Sequence, residues 1–229
     1  MSEIESPEMD EAPGRPVREA SPRHVAIEGV IGVGKTTLAR RLAQQLGGRL
    51  VEETVEENPF LARFYRDRRA HAFQTQMFFL LSRFQQNQEF LQPDLFRRAT
   101  VADYLFDKDR VFAHLNLDEQ ELLLYEKMFT MLAERVPAPD LVIYLQASTD
   151  VLMQRIRTRG RPFERAMPRE YVEDVNQAYN RFFFGYEKSP LLIVNTNDLD
   201  FAEGDEDVAQ LMRFLSDPPR GVQYYVPQR

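Results

Sequence analysis

The sequence predicts an α/β fold, a five-stranded parallel sheet with helices on both faces, and three observations carry that prediction. Short β-rich runs alternate with longer helical patterns along most of the chain. The runs are apolar and partly β-branched throughout, as strands covered on both faces must be. One strand–loop–helix junction contains Gly29-Val30-Ile31-Gly32-Val33-Gly34-Lys35-Thr36, which fits G-x-x-x-x-G-K-[ST] with no mismatch. Together these give a three-layer sandwich of the P-loop nucleoside triphosphatase type.

The elements follow in order. Residues 1–22 hold six acidic residues, two arginines and four prolines with little apolar periodicity, the composition of a disordered tail. Strands are expected at Val25–Glu28, Arg49–Glu52, Thr100–Asp103, Leu141–Gln146 and Leu191–Asn195. Helices are expected at Lys35–Leu46, Pro59–Tyr65, Ala70–Phe90, Leu117–Arg135, Thr149–Arg157, Arg169–Phe184 and Asp205–Leu215. Pro137 and Pro139 mark the break before the fourth strand. Pro218, Pro219 and Gly221 argue that 217–229 is an irregular end, which leaves 23–216 as the single folded domain.

Composition narrows the function. A chain of 229 residues with 43% hydrophobic content suits one domain. A net charge of −7 argues against broad nucleic-acid affinity. With no cysteine there is no disulfide, thiolate metal site or thiol nucleophile, which fits a reducing cytoplasm. No apolar run approaches the ~20 residues of a membrane span, and the N-terminus lacks a signal-peptide core.

Chemistry is concentrated in four places. In the P-loop, Gly29, Gly32 and Gly34 let backbone N–H groups wrap a phosphate at a helix N-terminus. Lys35 can reach the β- and γ-phosphates of ATP, and the Thr36 hydroxyl, with Thr37 following, can serve Mg²⁺ and phosphate. The second strand ends in Glu52-Glu53, at the carboxyl edge where open sheets bind ligands. A carboxylate there can take a proton from a substrate hydroxyl, although a solvated acidic loop has the same pattern. On the helix over 70–90, Gln76, Phe79, Leu80 and Arg83 share one face. An amide and a guanidinium beside aromatic rings suit a nucleobase, but a core stripe with polar borders fits the pattern alone better, since amphipathic helices are common. Arg155, Arg157, Arg159 and Arg161 form a basic cluster able to close over a triphosphate. His24, His71 and His114 share no metal-ligand spacing.

Six ordered motifs carry a family resemblance over about residues 23–215: Glu28 to Thr36, Val55-Glu56-Glu57-Asn58-Pro59-Phe60-Leu61, Phe73 to Leu80, Ala102-Asp103-Tyr104, Arg159-Gly160-Arg161-Pro162-Phe163-Glu164, and Leu199-Asp200-Phe201. The chain resembles the deoxyribonucleoside kinases, most closely the bacterial deoxyguanosine and deoxyadenosine kinase branch. The resemblance implies ATP-dependent phosphorylation of a deoxynucleoside at its 5′-hydroxyl, with Mg²⁺, in a cytoplasmic homodimer of the salvage pathway. It implies that Glu53 is the general base, that Gln76 reads the base, and that Tyr65 and Glu164 hold the sugar 3′-hydroxyl. It further implies that Arg83 and Asp109 complete base recognition, with deoxyguanosine ahead of deoxyadenosine. Arg159 and Arg161 match lid arginines, Asp103 an acid near Mg²⁺, and Asp200 and Phe201 the loop beside the donor adenine, with Arg155 nearby. One departure stands out: where many relatives carry an acid followed by Arg-Ser, this chain has Asp103-Tyr104-Leu105, and Tyr104 offers no charge to the phosphoryl group. The rival readings are a nucleoside monophosphate kinase and a non-catalytic ATP-binding regulatory module. A GTPase is argued against, because no Asn-Lys-x-Asp motif follows the fourth strand.

Overall fold

The computed structural model describes residues 22–90, 99–164, 167–202 and 204–227. The expected N-terminal tail therefore lies, except for Pro22, outside the described residues. The strands are β1 (His24–Gly29), β2 (Arg49–Val51), β3 (Thr100–Ala102), β4 (Leu141–Gln146), β5 (Leu191–Asn195) and β6 (Val222–Tyr225). The helices are α1 (Lys35–Leu46), α2 (Leu61–Phe64), α3 (Arg68–Phe90), α4 (Lys108–Asn116), α5 (Glu119–Ala133), α6 (Thr149–Arg159), α7 (Arg169–Phe184) and α8 (Asp205–Ser216).

The strands form one parallel sheet in the order β2-β3-β1-β4-β5-β6, with helices on both faces. On one side α1 packs against β1, β2 and β3 and meets α8; α3, α4, α5 and α7 form a second contiguous group. The first five residues of β4 are wholly buried, which a run of Leu141, Val142, Ile143, Tyr144 and Leu145 can satisfy only between two helical layers. The register then decides where chemistry can occur. Val51 sits beside Ala102, and Ala102 beside Ala26, so the chain leaving β2, β3 and β1 arrives at one rim. Glu53, Asp103 and the P-loop are the residues that follow.

The sheet has six strands, not five. The segment 217–229, expected to be irregular, contains β6, which pairs in parallel with β5 from Leu191↔Val222 to Val194↔Tyr225. Pro218, Pro219 and Gly221 form the connection from α8 back to the sheet. The Tyr225 ring packs edge-on against Phe214 of α8, and its hydroxyl bonds Gln210, which pins the strand. The helix expected over 117–135 is present as the single helix α5, and α4, which the sequence pattern did not indicate, precedes it. Asp118 caps α5 in a reciprocal capping box with Glu121, so that helix starts at Glu119 and α4 stands before it as a separate element.

Candidate active site

The P-loop bends through Gly32 at φ +86° and Gly34 at φ +107°, a region closed to side chains with a β-carbon. At Gly32 a β-carbon would lie 2.8 Å from Ile156 Cγ1, so the loop is also pressed against α6. The Lys35 ammonium donates to the Gly29 carbonyl at 2.7 Å and the Val30 carbonyl at 3.4 Å, folded onto the loop that would present it to phosphate. Burial pushes this amine down, and Glu28 is the largest influence opposing that shift.

A cavity of about 630 Å³ opens over this loop. Arg159 and Arg161, with Asp200 and Phe201, line it. Arg155 lines it too, but its guanidinium donates to Val33 O at 3.2 Å, Thr196 Oγ1 at 3.2 Å, Thr196 O at 2.7 Å and Leu199 O at 2.8 Å. It ties α6 to the P-loop and to the 196–199 loop.

A second cavity, about 100 Å³, adjoins the first and shares Gly32, Lys35, Thr36, Arg159 and Arg161 with it. Its own walls include Glu53, Tyr65, Phe79, Asp103 and Glu164. Ligand pockets commonly reach ~300 Å³ or more, so a nucleoside enters only if these walls move.

Glu53 is the centre of the polar network. Its Oε1 accepts from Arg83, with Nε at 3.1 Å and Nη2 also bonded, and its Oε2 accepts from Lys108 Nζ at 2.7 Å. Burial pushes the carboxyl up, but the charges of Arg83, Lys108 and Lys35 outweigh it and hold Glu53 well below the usual carboxylate range. Asp103 lies alongside: one oxygen accepts from the Thr36 hydroxyl, the other from the Glu53 backbone N–H at 2.7 Å. Burial and then the Glu53 charge push Asp103 upward, against those two hydrogen bonds.

Arg83 also pairs with Asp109 and lies over the Phe79 ring, 4.6 Å from its centroid. Gln76, Arg83 and Asp109 are all buried, and none of them lines this second cavity as it stands. Arg83 and Asp109 are thus brought together, with the guanidinium spent on two carboxylates. Burial, then Tyr171 and Glu164, push the Tyr65 phenol well above its ordinary value, and Tyr65 and Glu164 both line this cavity. Glu164 is held by Arg159, Nε to Oε2 at 3.2 Å, and Arg161 pairs with Glu56 at 3.1 Å. Arg159 and Arg161 are therefore each bonded to an acid.

Two buried residues were not anticipated. Lys108, at the first turn of α4, supplies beside Glu53 a cation that Tyr104 does not. Its signal was hidden because α4 itself was unrecognised. Glu28, wholly buried before the P-loop, accepts from Gly29 N at 2.8 Å, Leu105 N at 2.7 Å and the Tyr179 hydroxyl at 3.2 Å. Tyr104 is buried with its hydroxyl accepting from Asn87 Nδ2 at 3.2 Å.

Among the described residues no group of three or more His, Cys, Asp or Glu side chains is placed to hold a metal. The hydroxyl–carboxylate pair of Thr36 and Asp103 does suit Mg²⁺, which takes oxygen ligands and draws several from phosphates and water. Also among the described residues, no helix is long and apolar enough to cross a membrane.

Comparison with known proteins agrees with this geometry. A deoxyguanosine kinase of Bacillus subtilis strain 168 is 39% identical over 156 residues, 68% of this chain and 75% of that protein. A deoxyadenosine kinase of Dictyostelium discoideum is 34% identical over 195 residues, 83% of this chain and 78% of its own. Among solved structures, a deoxyadenosine kinase from M. mycoides with products dCMP and a flexible dCDP bound superposes with a TM-score of 0.75 at 27% identity, covering 85% of this chain and 99% of that one. The same enzyme with bound dATP gives 0.70 at 26% identity, over 83% and 97%. Residues 25–217 match the family model described as deoxynucleoside kinase, a span that includes the P-loop, Glu53, Arg159, Arg161 and the Asp200-Phe201 loop, and the chain belongs to the deoxynucleoside kinase family.

Proposed function

We propose that this kinase transfers the γ-phosphoryl group of ATP to the 5′-hydroxyl of a purine deoxynucleoside, deoxyguanosine ahead of deoxyadenosine, within nucleotide salvage in the cytoplasm. The observation that carries the reading is the pair of adjoining cavities: one over a phosphate-binding loop, the other walled by Glu53 and sharing Lys35 with it. The O5′–Pγ bond forms, the bond from Pγ to the bridging oxygen of ADP breaks, and the hydroxyl proton passes to Glu53. Lys35 and the lid arginines Arg159 and Arg161 balance the charge on the transferring group, and P-loop amides from Gly29 to Thr37 cradle the donor. Thr36 and Asp103 would hold Mg²⁺, which, when bound, neutralises donor phosphate charge.

A weak base suffices in this site. The hydroxyl proton becomes strongly acidic only once the O–P bond has begun to form, so an ionised carboxylate in position matters more than a basic one. Tyr65 and Glu164 would take the 3′-hydroxyl. Gln76 would take the base edge, with Arg83 keeping Nε and Nη2 on Glu53 and turning Nη1 from Asp109 toward the base, and Asp109, so released, accepting from the base. Arg83 can donate to guanine O6 and N7, which adenine cannot match because its N6 is a donor. Asp200 and Phe201 would flank the donor adenine. Exposed Leu123, Leu124 and Met131 on α5 support a homodimer. The folded unit we assign runs from 23 through β6.

The test is a panel of the four deoxynucleosides, with dGMP added, incubated with ATP and Mg²⁺ and read by nucleotide chromatography. Deoxyguanosine should give dGMP and ADP. Phosphorylation of dGMP in preference to deoxyguanosine would favour a monophosphate kinase, and no turnover with any acceptor would favour a regulatory module. Arg83→Met should cost deoxyguanosine about 1–3 kcal/mol more than deoxyadenosine.

A further inference from the structure

Lys108 occupies a place that folding alone makes expensive. It is the first residue of α4, where a cation faces the positive end of the helix dipole, and its side chain is only 4% exposed. Two carboxylates face it: Glu53 Oε2 at 2.7 Å and Glu28 Oε2 at 3.9 Å. Glu28 is already satisfied by two backbone N–H groups and the Tyr179 hydroxyl. The short contact, and the orientation of the ammonium, belong to Glu53.

An ionised carboxylate offers about four lone-pair sites. Arg83 fills two through Nε and Nη2, both on Oε1, and Lys108 fills one on Oε2. One direction remains, on Oε2, beside the Lys108 ammonium. A carboxylate gripped at both oxygens cannot rotate, so its free lone pair points one way before any substrate arrives. Deepening the reading in which Glu53 is the base, we propose that Lys108 is a positioning residue for phosphoryl transfer: together with Arg83 it locks Glu53 so that Oε2, and not Oε1, receives the 5′-hydroxyl proton.

The experiment compares Lys108→Met, Lys108→Arg, Glu53→Gln and the Glu53→Gln/Lys108→Met double variant. Each is assayed for kcat, for KM of ATP and deoxynucleoside, and for melting temperature. Methionine keeps the apolar stem and removes the ammonium. It should lower kcat by about 10–100-fold, the scale of a misplaced reacting group, with KM for ATP within twofold. Arginine should recover most of that loss. Because Lys108 acts through Glu53, the double variant should be no slower than Glu53→Gln alone. A purely structural lysine would lower the melting temperature and leave kcat per folded molecule unchanged. That result overturns the proposal, as do equal impairment of the methionine and arginine variants or multiplying losses in the double variant. If Lys108→Met does not fold, Lys108→Arg decides: near-parental kcat supports the proposal, and a fall to the Glu53→Gln level overturns it. Parental activity in Glu53→Gln means instead that the base reading itself has failed, whereas an impaired Glu53→Gln beside an unimpaired Lys108→Met removes only the role of Lys108.

Discussion

Replacing Arg155 by methionine separates two roles that its position over the P-loop invites. One is a grip on donor phosphate. The other, which the bonding favours, is a strut: four donations from two guanidinium nitrogens, all to groups of the protein itself. Hydrogen bonds from a charged donor contribute about 1.5–3 kcal/mol each, but these four share one half-buried group, and water can replace the more exposed of them. Counting two as irreplaceable, the loss is about 3–6 kcal/mol. For a chain of this size each kcal/mol shifts the melting temperature by about 2–4 °C, so Arg155→Met should melt roughly 6–24 °C lower. Because the 196–199 loop leads into Asp200 and Phe201, KM for ATP should rise while KM for the deoxynucleoside stays within twofold. Differential scanning fluorimetry and steady-state kinetics on the same preparation measure both. Arg155→Lys should recover little, since one ammonium cannot reach four acceptors. An unchanged melting temperature with kcat lowered tenfold or more would show that Arg155 works on phosphate, and the strut argument would be wrong.

Glu53→Gln should lower kcat by a factor on the order of 10² or more with ATP affinity kept, while Glu52→Gln, whose partner is the exposed Arg40, stays near the parent. The Glu53 carboxyl is depressed on folding, so its pairing adds stability that is present above the ordinary value of 4.5 and is lost as pH falls below it. The melting-temperature gap between parent and Glu53→Gln should therefore narrow on acidification below 4.5, and a gap that widens there would reverse the sign of the argument. Lys35→Ala should abolish turnover, checked by ADP release, because no other P-loop side chain is charged. Dideoxynucleosides should show a much reduced kcat/KM, since a site built around the 3′-hydroxyl loses the hydrogen bonds that Tyr65 and Glu164 would make to it; equal values for both sugars would remove that assignment.

Locally encoded features were readable from the chain and long-range ones were not. The P-loop, β4, β5 and α7 are contiguous patterns, and their expected bounds coincide with the observed elements or differ by a residue or two. The acid at the end of β2 was legible as a possibility because strand ends are where open sheets place ligands. That Glu53, and not Glu52, faces inward depends on the pleat and on Arg83 and Lys108 arriving from two other helices. α4 escaped notice because it opens with three charged residues, Lys108, Asp109 and Arg110, two of which are buried only by tertiary contacts. The arginine cluster was read as one unit, yet its members diverge: Arg155 braces loops, Arg159 holds Glu164 and Arg161 holds Glu56. Which partner each arm reaches is set by where α6 ends, at Gly160 in the left-handed region.

The short strand β6 governs how this chain can be trimmed. A boundary at 216, where composition changes, would remove the neighbour from all four paired positions along β5. The bare N–H and C=O groups of β5 would then form an open, apolar edge, the kind of surface on which chains add to one another. Even intact, β6 displays Val222 and Tyr224 outward, with exposed Val226 just beyond, so the last strand shields a stickier one at some cost in its own greasiness. A shortened chain should retain a nearly complete nucleotide site and yet fail in the tube, by precipitation and not by loss of chemistry.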